Sequence, residues 1–173
     1  MENPGLPILD FEGIAPKGGF IEPAPQPWAP SVFFSDPDGD ASSIAIADSG
    51  FFFGTPTDAL FMDLFDVPLL ATFDPDVIAV GFDIAIGFGG LAATVKVFSP
   101  EGGLLASETF DTEHETVFTT FIGFSGFGEI GSVLITPAGG GFVLIDNYAY
   151  GIPMPGTIAL LCVAGFFGRR RGR

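Results

Sequence analysis

Residues 77–86, Val-Ile-Ala-Val-Gly-Phe-Asp-Ile-Ala-Ile, place Ile78, Val80, Phe82, Ile84 and Ile86 at every second position. A period of two puts those side chains on one face of a strand, whereas a helix would scatter them around its circumference. The pattern returns downstream. Ala93, Val95 and Val97 alternate in the next run, and Ser99-Pro100-Glu101-Gly102-Gly103 then turns the chain into residues 104–110, a hairpin signal. Runs at 116–124, 130–136 and 142–150 follow, each bounded by Gly or Pro, and shorter candidates precede them at 8–11, 32–34, 43–47, 51–53 and 59–64. No window before residue 152 carries a helical period. The 25 Gly and 15 Pro disfavour helix interiors, while the 21 Phe suit a pleated, half-buried surface. The expectation is an all-β domain over residues 1–151: an antiparallel β-sandwich, jelly-roll-like. Within it, residues 13–30 carry Pro16, Pro23, Pro25, Pro27 and Pro30, which cannot donate to a ladder, so this stretch reads as an extended surface loop.

Charge divides the chain unevenly. Six basic residues stand against 21 acidic ones, a net of −15. Four of the six are Arg169, Arg170, Arg171 and Arg173, so residues 1–168 hold only Lys17 and Lys96 against all 21 acids, a net of −19. A body of that sign repels phosphate backbones, which excludes nucleic acid as a partner. One cysteine, Cys162, and one histidine, His114, leave no zinc constellation and no disulfide framework.

Few residues carry chemistry. Asp36, Asp38 and Asp40 alternate in the turn Asp-Pro-Asp-Gly-Asp, and clustered hard oxygens suit calcium. An EF-hand loop would need Gly at its sixth position and Glu at its twelfth; Ala41 and Ala47 stand there, so the alternative is a plain solvated turn. The segment Asp111-Thr112-Glu113-His114-Glu115 reads as an exposed, charged hairpin end. Paired carboxylates can hydrolyse glycosides, but with 21 acids some pair meets the spacing by chance. Trp28, Tyr148 and Tyr150 are candidates for stacking on sugar rings, and most of the phenylalanines are expected in the core.

The last 22 residues have a different character. Pro153, Met154, Pro155, Gly156 and Thr157 form a breaker. Ile158, Ala159, Leu160, Leu161, Cys162, Val163, Ala164, Gly165, Phe166 and Phe167 follow without a charge, and Arg169, Arg170, Arg171 and Arg173 close the chain. Proline is tolerated at a helix start, so a single short hydrophobic C-terminal helix is expected. The 13 residues from Gly156 to Gly168 would span about 20 Å, against a hydrocarbon core of about 30 Å. Snorkelling arginines and a thinned bilayer would permit a marginal transmembrane span, with the arginines on the cytoplasmic side. The alternative is a buried helix of a soluble domain, which normally keeps a polar face; residues 158–167 have none.

This order of breaker, apolar helix and terminal arginines resembles the PEP-CTERM sorting signal of bacterial exported proteins. By that resemblance residues 153–157 are the recognition motif, residues 158–167 the membrane anchor and the arginines the basic stop. Met154 stands where the family has glutamate. The resemblance implies processing by exosortase, a membrane-embedded enzyme, and a place at the cell envelope, then on the cell surface or outside the cell. It implies a secreted, non-enzymatic component associated with exopolysaccharide and biofilm. Export requires a leader, and Met1-Glu2-Asn3-Pro4 has neither a basic nor an apolar segment, so the leader is expected upstream or already removed, with a cytoplasmic protein as the third alternative.

Gly-Phe-Asp at 81–83, Pro-x-Gly-Gly at 100–103, Gly-Phe-Ser at 123–125 and Ile-Asp-Asn-Tyr-Ala-Tyr-Gly at 145–151 also resemble the sandwich domain of such proteins, itself similar to jelly-roll carbohydrate-binding modules. The resemblance implies that residues 9–13 and 145–147 belong to paired first and last strands. Asp10, Glu12 and Asp146 could then share a calcium ion; the alternative is that Asp146-Asn147 begins a bend and Asp10 caps a strand end. The alternative function is a carbohydrate-binding module whose main role is to bind polysaccharide. A glycoside-active enzyme is a more distant third.

Overall fold

Two 19-residue strands organise the molecule, each long enough to serve two layers. The computed structural model describes residues 8–9, 11–24, 32–48, 57–62, 66–87, 92–111, 118 and 120–151. Its strands are β1 (Ile8–Leu9), β2 (Phe20–Ile21), β3 (Val32–Ser35), β4 (Ile44–Ala47), β5 (Ala59–Met62), β6 (Leu69–Gly87), β7 (Ala92–Phe98), β8 (Leu104–Asp111), β9 (Thr120–Ala138) and β10 (Phe142–Gly151). All pairings are antiparallel. No helix among the described residues is long and apolar enough to cross a membrane, and the whole tail, residues 152–173, lies outside the described residues.

The register explains the layering. The second half of β6 pairs with β10 and with the first half of β9, from Ala79↔Ser125 to Ile84↔Thr120. The first half of β6 pairs instead with β3 and with the second half of β9, from Leu69↔Ile135 to Thr72↔Ser132. One layer is therefore β2-β4-β5-β10-β6-β9 and the other β3-β6-β9-β7-β8, with β6 and β9 passing between them. Pro75 occupies the stretch of β6 where pairing with β9 lapses, between Thr72 and Val77, so its missing N–H is not required there. Gly126 and Gly128, at φ +84° and +92°, turn β9 at the matching place.

One apolar core fills the space between the layers, with Phe34, Leu69, Val95 and Val133 from one side and Ile46, Leu60, Phe82 and Ile84 from the other. At its centre Tyr148 stacks on Phe82 at 5.3 Å between centroids and 5° between planes, and meets Phe34 edge-on at 5.3 Å. A smaller cluster, including Phe61, Ala85, Phe142 and Leu144, lies on the opposite face of the first layer.

Several expectations are corrected. Ile78 belongs to the alternating set, yet it is 44% exposed while Val77 is buried, because the register slips between Val77 and Ala79. A slip of one residue exchanges the faces. The runs at 116–124 and 130–136 are parts of one bent strand within the described residues. Residues 20–21, inside the Pro-rich stretch, form β2 and pair with β4. The 51–53 candidate lies outside the described residues.

Candidate functional site

Strand β10 is shared along one edge by two partners. Leu60 and Phe61 of β5 pair with Ile145 and Leu144, and Ile8 and Leu9 of β1 pair with Ala149 and Tyr148; the first and last strands thus pair, but through residues 8–9 and 148–149 and not through 9–13 and 145–147. Between the two partners β10 bulges, and Asn147 adopts the left-handed conformation at φ +48°. Asparagine tolerates that region better than most residues. The bulge brings side chains from four segments together. Thr57 donates its hydroxyl to Asp146 Oδ2 at 2.6 Å, and the Asn147 N–H donates to Asp146 Oδ1 at 2.7 Å. Gly13 N–H donates to Asp58 Oδ2 at 2.9 Å, and Asp58 N–H to Glu12 Oε1 at 3.3 Å. Asp83 and Asp146 are direct cross-strand partners, a like-charge pairing that would repel. Asn147 bridges it: its amide donates to Asp83 Oδ2 at 2.9 Å and to Asp146 Oδ2 at 3.4 Å.

Asp146 is 1% exposed, and burial pushes its carboxyl up from 3.8 to about 6; the charges of Glu12 and Asp83 add to the rise, while the bonds from Thr57 and Asn147 oppose it. A rise from 3.8 to about 6 corresponds to about 3 kcal/mol. Because the folded value is the higher one, the folded state holds the proton more tightly. Asp146 therefore contributes stability fully below 3.8, and that contribution is lost as pH rises through about 6. In EDTA, Asp146→Asn is expected to be more stable than wild type at about pH 7.5 and to converge with it at about pH 3.5. Urea unfolding at the two pH values measures this, and an unchanged difference between them contradicts it.

The row continues across the same face. Phe121 of β9 is the direct partner of Asp83, and Gly81 is the partner of Gly123. A Cβ built on Gly81 would stand 2.7 Å from Phe121 Cζ, and one on Gly123 3.3 Å from Phe121 Cε1. The far half of the ring thus lies over a cross-strand glycine pair, an arrangement only residues without side chains permit. Ile122 and Phe82 point into the core, so Phe121 points away from it and is 60% exposed. Beside it an open groove of about 430 Å³ runs between the edge of β9 and the edge of β8, lined by Phe121, Phe124 and Phe127 with Phe110 and Glu108. Phe127 is 44% exposed.

The structure distributes the sequence candidates differently from expectation. Tyr148 and Tyr150 are fully buried and are core residues, so they are no stacking surface for a sugar. The exposed rings are phenylalanines. Trp28, Asp10, His114 and the residues 152–173 lie outside the described residues. In the Asp36 turn, Asp36 Oδ1 accepts from the Asp38 and Asp40 N–H groups at 2.9 and 2.8 Å, and Asp40 Oδ1 accepts from Ser42 N–H at 2.8 Å. These bonds from Ser42 hold the Asp40 carboxyl below its usual value. The turn closes on its own backbone. Among the described residues no three His, Cys, Asp or Glu side chains are gathered so as to hold a metal ion, which includes Asp36, Asp38 and Asp40 as well as Glu12 and Asp146.

No family model and no curated protein matches the sequence. Among solved structures, the chain is similar to TmCBM61 in complex with β-1,4-galactotriose, at 14% identity and TM-score 0.45 over 72% of this chain and 90% of that one. It is also similar to CsCBM6-3 from Clostridium stercorarium in complex with cellobiose, at 14% identity and TM-score 0.35 over 78% and 93%. A third, the arabinose-bound MgGH51 α-L-arabinofuranosidase, is 12% identical with TM-score 0.39, over 62% of this chain and 21% of that one. At such identities and TM-scores, neither the ligands nor the activity of those proteins transfers to this chain.

Proposed function

We propose that the β-sandwich is a non-catalytic glycan-binding domain whose platform is Phe121. The observation that carries this reading is the exposed ring held over the Gly81–Gly123 pair, next to Asp83 and Asn147. A sugar ring has apolar C–H faces and a rim of hydroxyls. It therefore needs a flat aromatic surface together with nearby carboxylate or amide groups, and it gains most when these are fixed beforehand. The two long strands supply that fixity, since Phe121 and Asp83 sit on paired backbone. The Asp83–Asp146 pair does not favour a glycosidase, because Asp146 is buried and both of its oxygens accept from Thr57 and Asn147.

Gly81→Ala is the test, because it keeps the ring and moves it. The new methyl must displace Phe121, whose exposed ring can swing outward. Affinity electrophoresis of the full chain in gels containing neutral polysaccharides is expected to show retardation of wild type. The variant should lose most of it while still unfolding cooperatively. Retardation equal to wild type would remove Phe121 as the platform.

Delivery to the envelope is a separate part of the proposal and rests on the order of motif, apolar run and arginines in residues 152–173. Fused to an exported reporter in a cell with exosortase, this segment is expected to make the reporter membrane-bound and then processed. A reporter that stays soluble and uncut would end the sorting reading, with or without glycan binding by the sandwich.

A further inference from the structure

The charge around Phe121 narrows what the platform accepts, and the argument rests on the glycan-binding reading. Asp83 stands directly across from the ring, with about 4.5–5.5 Å between their Cβ atoms in such a pair. Asn147 fixes Asp83 through Oδ2, so this carboxylate has a set position beside the ring. Glu108 lines the groove on the other side, from β8. Among the described residues the only cations are Lys17 and Lys96. Lys96 is on β7 in the other layer, paired with Ser107 and Leu134, and Lys17 lies in the turn before β2, at the far edge of the first layer. Neither belongs to the Phe121 face.

An aromatic face with a carboxylate at its side is the chemistry that recognises an ammonium group: the ring quadrupole attracts the cation, and the carboxylate pairs with it. A uronate or sulfated sugar would meet the same carboxylate with its own negative charge and, among the described residues, no cation on that face to offset it. We infer that the Phe121–Asp83 platform selects glycans bearing free amines, that is, hexosamine polymers that are not fully N-acetylated. The sugar ring stacks on Phe121 while its ammonium faces Asp83. N-acetylation removes the charge and so removes the selected feature.

The experiment is calorimetric titration of the full chain with a glucosamine hexamer, its N-acetylated counterpart, a neutral glucose hexamer and a uronate hexamer. At about pH 5.5 a sugar amine, made less basic than an alkyl amine by the oxygens beside it, is mainly protonated. The glucosamine hexamer is expected to bind at least about tenfold more tightly than the acetylated and neutral ones, with the uronate weakest. Asp83→Asn should bring the glucosamine hexamer down to the acetylated level. Glu101→Gln, which removes the same charge at the distant β7–β8 turn, should leave the preference in place. Equal affinity for the amine and acetylated hexamers would overturn the inference and leave glycan binding standing, as would an equal loss in both variants. Binding to none of the four would remove the glycan-binding reading as well.

Discussion

Phe82→Ala is expected to lower the free energy of unfolding by about 3–5 kcal/mol, the usual cost of emptying a large buried aromatic site. The site cannot collapse easily. Phe82 is fully buried, stacked on Tyr148, and Tyr148 in turn meets Phe34 and Phe73, so the cavity would open beneath a chain of rings reaching Phe11. Phe82 also lies on the half of β6 that carries Gly81 and Asp83, so loss of packing there loosens the candidate site from below. For a domain of this size the change corresponds to a drop in Tm of about 6–20 °C. Tyr148→Phe should act in the opposite direction. The Tyr148 hydroxyl is buried without a hydrogen-bond partner, so its removal relieves a desolvated group and should stabilise by about 1 kcal/mol. Chemical denaturation of both variants checks the pair, and a loss of stability in Tyr148→Phe would contradict the placement of that hydroxyl.

Phe121→Ala is expected to weaken glycan binding by about tenfold to a hundredfold, because burying a phenylalanine face under a ligand is worth about 1.5–3 kcal/mol. Stability should change little. The ring is 60% exposed, lies over Gly81 and Gly123 on the outer face and is not one of the buried core side chains, so the folded core loses little. The contrast with Phe82 is instructive, since the two rings are on paired strands and offset by one position. Phe82 and its partner Ile122 face the core, and the next pair, Asp83 and Phe121, faces outward.

That alternation is what the sequence made legible and where it ran out. The β-rich architecture followed from period-two runs cut by Gly and Pro, and the Ser99–Gly103 turn closes as read, with Ser99 N–H bonded to Gly103 O at 2.8 Å. The alternation places Ile78 on the inner face and the structure places it outside, because a register slip leaves no trace in a single strand's pattern. The first half of β6 is not among the expected runs; it carries Asp74-Pro75-Asp76, where pairing with β9 lapses between Thr72 and Val77. The Asp146–Asn147 step was legible as chemistry, but not the Asn147 bridge, which depends on Asp83, 64 residues earlier in the chain. Phe121 is one of 21 phenylalanines, most of them expected in the core. A signal was available: Ile122 and Phe124 set the inward phase of that run, which leaves Phe121 and Gly123 outward. Only the register of β9 on β6 then shows that Gly81 clears the space beneath the ring.

The most direct measurement of the central claim is a two-dimensional amide NMR titration of the full chain with the oligosaccharide that binds best. The largest shifts are expected to cluster at Gly81, Asp83, Phe121, Gly123 and Asn147, on one face of one layer. Shifts that leave those residues unmoved and gather instead on the outer face of β3 and β7, around Phe33 and Lys96, would contradict it.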